Sequence, residues 1–332
     1  MLKTLTGAPV SDGLTAAKRE MRLRYQEKLT RELGAVVKSA LADPDIIEIM
    51  LNPDGRLWIE RPGAPMSVAG TMNAAAAEQF IATVAAGVGT IVTFEHPALE
   101  CNLPVDGVRC RFAGLIPPAA DAPIFVIRRH ATRIWTLDDY VSAGIASLSH
   151  VAVLREAVRA RRNILVAGGT GSGKTTLTNA IIAEIPAEHR IVIIEDTPEI
   201  QCAAPNTVFL RAAEGDDERT MQRLLRRSLR YRPDRIIVGE VRGAEALTLI
   251  KAWNTGHPGG IATVHANSEN ASDALHRIEQ LVAEAAAGDQ RQSIGSTIDL
   301  IVVIDKAPEG RRIKRLVHVE GFTGGAYQLK EE

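Results

Sequence analysis

The chain has 332 residues, 45% hydrophobic and 24% charged, with 27 glycines and 16 prolines. That profile excludes disordered and fibrous classes, and the length calls for two domains. Lys and Arg number 39 against 40 Asp and Glu, a formal net charge of −1, so the molecule as a whole is no electrostatic glove for nucleic acid or anionic lipid, and any polyanion must be bound locally.

Residues 14–42 place Met21, Tyr25, Leu29, Leu33, Val37 and Leu41 at steps of four, which predicts one amphipathic helix with a basic flank. Glu20, Glu27 and Glu32 dilute that charge, so packing on its own domain is favoured over a membrane surface. The opening residues lack the apolar run of a secretory signal, from which a cytoplasmic protein is expected. Asn52-Pro53-Asp54-Gly55 between two β-rich runs reads as a hairpin, and a helix follows at 74–88. The longest uncharged apolar run, 79–94, is shorter than the roughly 20 residues of a spanning helix. Further strands flank the turn Val105-Asp106-Gly107. Three separated cysteines, Cys101, Cys110 and Cys202, without a C-x-x-C, support neither a disulfide framework nor a zinc knuckle. Residues 1–135 are thus expected to form a small α+β amino-terminal domain. The Thr136-Leu137-Asp138-Asp139 helix cap opens a second domain over 136–332.

From Arg162 the rhythm becomes strand and helix in alternation: NILVAG, IVIIED, RIIVGE, GGIATVHA and LIVVID, with helices between. Nearly all-apolar strands in that order predict an α/β fold with a parallel sheet buried on both faces.

The chemistry starts at Gly168-Gly169-Thr170-Gly171-Ser172-Gly173-Lys174-Thr175, with Thr176 following. The string fits G-x-x-x-x-G-K-[ST] between an apolar strand and a helix, the setting of a phosphate loop. Glycines let the backbone wrap phosphates, Lys174 supplies a charge for the β- and γ-phosphates, and Thr175 offers Mg²⁺ a hydroxyl. Glu195 and Glu240 close later sheet strands, where a metal-holding or water-polarising carboxylate belongs. Gly239 stands where many such enzymes carry an Asp. His265, at the end of another strand, is placed to reach a γ-phosphate, while His257 at the strand's start is not at metal-ligand spacing from it. Seven arginines between Arg219 and Arg235 read either as a solvated face or as a subunit interface, with Arg219, Arg223, Arg226 and Arg230 expected on one helical face.

GGTGSGKTT, IIEDTPEI, LRYRPDRIIVGEVRG and GHPGGIATVHANS resemble, in order and spacing, the Walker A, Asp, Walker B and His boxes of the secretion-superfamily traffic ATPases. DIIEIMLNPDGRLWIERPG, RFAGLIPP and FVIRRH narrow the resemblance to the TrbB-type conjugative-transfer ATPases of the type IV secretion group, over about residues 40–330. The resemblance implies a RecA-like P-loop carboxyl domain and Mg²⁺-dependent hydrolysis of ATP by a hexameric ring. It also implies inner-membrane channel partners, with the ring at the cytoplasmic face of that membrane. It assigns Lys174 and Thr175 to phosphate and Mg²⁺, Glu195 to the water as general base or orienting group, Glu240 to the Walker B place with the metal, and His265 to the γ-phosphate. Arg111 and Arg128 match amino-domain arginines that reach the nucleotide. A pilus assembly or retraction ATPase, and a nucleotide-gated scaffold with little turnover, stand as alternatives. The net charge disfavours direct pumping of nucleic acid.

Overall fold

The amino-terminal amphipathic pattern folds as two helices rather than one. In this computed structural model, which describes residues 16–61, 64–105, 108–129, 134–212, 220–267, 269–307 and 310–332, α1 (Ala16–Glu32) ends just before Gly34, whose φ is +69°, and α2 (Gly34–Ala42) continues from it. Glycine takes that left-handed conformation without a Cβ penalty, which is why the period of four could not run on as one rod. Leu29, Leu33, Val37 and Leu41 are buried, but Met21 is 69% exposed, so only the carboxyl half of the stripe is core.

The chain divides into two units, Met1–His130 and Ala131–Glu332. The first holds a six-stranded antiparallel sheet made of β1 (Glu48–Leu51), β2 (Arg56–Glu60), β3 (Ser67–Thr71), β4 (Ala98–Val105), β5 (Val108–Leu115) and β6 (Ile124–Arg129), in the order β3-β2-β1-β6-β5-β4. The expected hairpin is β1–β2, with Leu51 opposite Leu57; the tip of the β4–β5 turn, Asp106-Gly107, lies outside the described residues. Helix α3 (Ala74–Gly87), capped by Asn73, contributes Phe80 to a triad with Phe112 and Phe125, ring centroids 5.2–5.9 Å apart. Such aromatic packing supplies much of a small core's burial. Cys110 is buried here and all three cysteines are free thiols.

The second unit opens with α4 (Leu137–Ser142), where the Thr136 hydroxyl accepts from the Asp139 N–H and the Asp139 carboxylate accepts from the Thr136 N–H, a capping box. After α5 (Leu148–Arg159) come the strands β7 (Ile164–Gly168), β8 (Ile191–Glu195), β9 (Thr207–Arg211), β10 (Arg235–Val241), β11 (Ile261–His265) and β12 (Leu300–Ala307). They are joined in parallel, and β13 (Gly310–Thr323) and β14 (Ala326–Glu331) extend the sheet as antiparallel strands. The order is β14-β13-β12-β7-β11-β10-β8-β9. Along β7, Leu165 and Ala167 enter one apolar cluster while Ile164 and Val166 enter another, and β8 divides in the same way. The sheet is therefore buried on both faces, as a run of apolar residues without polar alternation requires. Helices α6 (Lys174–Ile182), α7 (Met221–Ser228), α8 (Glu245–Asn254), α9 (Ala271–Ala283) and α10 (Arg291–Thr297) complete the unit.

The arginine-rich segment does not make one helical face. Arg219 lies outside the described residues, α7 stops at Ser228 with Arg230 in a following 3₁₀ turn, and Arg235 is buried inside β10. Its guanidinium donates to the Val158 and Gly259 carbonyls at 2.7 and 3.0 Å and to His189 Nδ1 at 3.2 Å, and burial pushes its pKa down to about 10. Beside it Asn163 ties three strands at their amino ends: Oδ1 accepts the Gly259 and Gly260 N–H groups at 2.9 and 3.1 Å, and Nδ2 donates to the Thr297 carbonyl at 2.8 Å. Asn163→Ala leaves these buried backbone groups unpaired, so chemical denaturation should show a loss of about 2–4 kcal/mol. An unchanged midpoint would show that the clamp contributes nothing.

Candidate functional site

Parallel register gathers the predicted residues at one edge. Gly168 on β7 stands opposite His265 on β11, Val264 opposite Val241 on β10, and Ile194 on β8 opposite Val238, so the loop, His265, Glu240 and Glu195 end four neighbouring strands. Gly169, Thr170, Gly171 and Ser172 form the turn from β7, and Gly173 caps α6 with φ +99°, a conformation costly for any residue with a Cβ. No side chain caps α6 at this end. Its first-turn N–H groups, Thr176 among them, have no intrahelical acceptor, which suits an anion.

Lys174 is 7% exposed. Its ammonium donates to the Gly168 and Gly169 carbonyls at 3.0 and 2.9 Å and to His265 Nδ1 at 3.2 Å. Because an ammonium only donates, Nδ1 must accept and the neutral imidazole carries its proton on Nε2, which lies 2.9 Å from Glu240 Oε1. Burial lowers the His265 pKa; Glu240 opposes that shift, while Lys174, Arg242 and Arg277 reinforce it. The other Glu240 oxygen meets Arg242 at 2.5 Å, and Arg242 also holds Asp196 at 2.6 Å. A path of hydrogen bonds and ion pairs thus runs Lys174, His265, Glu240, Arg242, Asp196.

Glu195 is differently placed. It is 1% exposed; Oε2 accepts the backbone N–H groups of Glu199 and Ile200, both at 2.9 Å, and Oε1 is ion-paired with Arg211, its register partner on β9. The Thr175 hydroxyl donates to Glu199 Oε2 at 3.1 Å. Thr175, Glu195, Asp196, Glu199, Gly239, Glu240 and Arg242 line one cleft. A Cβ on Gly239 would stand 2.9 Å from the Glu195 Cβ, so a larger residue there forces its surroundings to shift. Arg311, from β13, lies against the phosphate loop, its Nε 3.4 Å from the Gly171 carbonyl. Sequence reasoning gave Glu199, Arg242, Arg211 and Arg311 no role. Glu199 and Arg242 carried visible signals, an acid four residues past Glu195 and a base two residues past Glu240 in the same boxes, whereas Arg211 and Arg311 reach the site only through the sheet's tertiary pairing.

Arg111 and Arg128 belong to the amino-terminal unit, where they face each other across β5 and β6 and therefore share one face. Arg111 pairs with Glu100 at 3.0 Å and Arg128 with Glu48 at 3.5 Å.

The donor set fits a nucleoside triphosphate with a divalent ion. The Ser172 hydroxyl is buried on the loop without a hydrogen-bond partner in the protein, and Thr175 stands beside carboxylate oxygens. Such a partial set of oxygen ligands matches the way Mg²⁺ is shared between one or two carboxylates and substrate phosphates.

Residues 96–316 match the family described as Type II/IV secretion system protein. The chain is 49% identical over 312 residues to the probable conjugal transfer protein TrbB of Sinorhizobium fredii, covering 93% of this chain and 94% of that one. It is 34% identical to the type IV secretion system protein PtlH of Bordetella pertussis, covering 84% and 91%. The X-ray structure of the Legionella pneumophila ATPase DotB superposes with a TM-score of 0.57 at 17% identity, over 92% of this chain and 81% of that one. That likeness shows the fold, RecA-like with a phosphate loop.

Gly239→Asp should overpack the contact with Glu195 and cost about 1–3 kcal/mol of stability, measured by thermal unfolding. An unchanged Tm would mean that the close approach of Gly239 to Glu195 is not limiting.

Proposed function

The chain belongs to the Type II/IV secretion system protein family, and from that membership we propose that it is an ATP-hydrolysing motor that energises a conjugative type IV secretion system. The observation carrying this reading is the Lys174–His265–Glu240 path beside the phosphate loop, in a chain 49% identical to a conjugal transfer protein. Phosphate oxygens would replace the Gly168 and Gly169 carbonyls as acceptors for Lys174, turning its charge toward the β- and γ-phosphates. His265, relieved of Lys174, would then report the γ-phosphate to Glu240. Glu240, held between His265 and Arg242, orients the attacking water, so that catalysis comes from positioning and fixed charge. A bound Mg²⁺, held by Thr175 and Glu240, would supply neutralisation of developing phosphate charge.

In this proposal residues 1–135 and 136–332 are the two bodies whose relative motion does mechanical work. Arg111 and Arg128 offer bidentate guanidinium forks to the phosphates, and six copies form the ring. In the same proposal the ring sits peripherally at the cytoplasmic face of the inner membrane and acts on channel proteins there; among the described residues no helix is long and apolar enough to cross a membrane.

Lys174→Ala should reduce steady-state phosphate release about 10²-fold or more while the circular-dichroism spectrum and Tm stay those of the parent. Phosphate release at the parent rate would overturn the proposal.

A further inference from the structure

Three acids stand at and just past the end of β8: Asp196 is held by Arg242, and the structure gives Glu195 and Glu199 different work. Glu195 has both oxygens engaged in holding its surroundings: Oε2 takes two consecutive backbone N–H groups from residues 199 and 200, and Oε1 takes the Arg211 guanidinium, which itself lies 4.7 Å over the Phe209 ring. A carboxylate that takes two N–H groups on one oxygen and a guanidinium on the other is committed first to fixing the loop. Glu199, the residue whose N–H it grips, is turned the other way. Its carboxylate accepts from the Thr175 hydroxyl at 3.1 Å, and its carbonyl accepts from Asn179 Nδ2 at 3.4 Å, while Asn179 Oδ1 takes the Gln201 N–H at 3.0 Å. The loop is therefore stapled to α6 on one side and to Glu195 on the other, with the Glu199 carboxylate left pointing at the hydroxyl a divalent ion would use.

We propose that Glu199 is the carboxylate of this segment that serves the divalent cation accompanying the nucleotide, and that Glu195 is the positioning residue that aims it. The assignment rests on the reading of the site as an ATP site. Glu199, in the loop after β8, and Glu240, on the neighbouring strand β10, then line the same cleft as Thr175. An ion entering with phosphate meets one hydroxyl and two carboxylates, a set of hard oxygen donors suited to Mg²⁺. Glu195 also lines that cleft, and its grip on the N–H groups of residues 199 and 200 sets where the Glu199 carboxylate stands.

The test is equilibrium binding of a fluorescent ATP analogue to the purified full-length protein, in EDTA and across a Mg²⁺ titration, beside thermal unfolding. Glu199→Gln should bind in EDTA as the parent does, keep its Tm, and need about 10- to 100-fold more Mg²⁺ for half of the metal-dependent tightening. Glu199→Asp, which keeps the charge one methylene short, should recover part of that shift. Glu195→Gln should lower the Tm; where it still folds, its Mg²⁺ midpoint should move less than that of Glu199→Gln. A Glu199→Gln protein with the parent's Mg²⁺ midpoint, or a Glu195→Gln protein with an unchanged Tm and the larger Mg²⁺ shift, overturns the assignment. A parent protein that binds the analogue in neither condition overturns the ATP reading itself, and this assignment with it.

Discussion

The structure depends on parallel pairing of β8, β10, β11 and β7. Strands that all run the same way put all their carboxyl ends on one edge, and neighbours stand about 4.8 Å apart. Four strand ends therefore carry Glu195, Glu240, His265 and the phosphate loop within about three strand spacings of one another. No single side chain could hold these groups in place. The apolar content of the strands does so, by burying the sheet on both faces and fixing its register.

The opposite edge bears the cost of that arrangement. Where the strands begin, backbone groups and the Arg235 guanidinium are buried far from water, and they are satisfied by one another: Asn163 across β7 and β11, Arg235 across the end of α5 and the start of β11. Polar satisfaction is passive at that edge. At the working edge it is transferable, because Lys174 rests on carbonyls and on His265, acceptors that phosphate can replace.

Much of this was legible in the sequence because the features are local. The phosphate loop is a contiguous string, and five strands of the second unit read as unbroken apolar runs since both of their faces are buried. β9 is not legible in this way: it is an edge strand, half-buried at four positions with Phe209 exposed, and the run alternates too weakly to stand out. The β13–β14 hairpin was missed because its charged opening, Gly310 to Lys314, looks like a loop until it pairs with β12. The single amino-terminal helix was an over-reading of a period of four that Gly34 interrupts. In the site, residue identities were legible but their orientation was not. Nothing in IIEDTPEI reveals that Glu195 turns to Arg211 while Glu199 turns to Thr175, because that division is made by the β8–β9 pairing and by α6.

In this mechanism the Lys174 ammonium exchanges its protein acceptors for phosphate, an exchange that a crystal structure of the protein with a non-hydrolysable ATP analogue would reveal directly. Phosphate oxygens are expected at hydrogen-bond distance from Lys174 Nζ and from the loop's N–H groups, with the Gly168 and Gly169 carbonyls released and His265 free to meet the γ-phosphate. An analogue bound away from the loop, or a Lys174 still seated on those carbonyls with the analogue present, would contradict this mechanism.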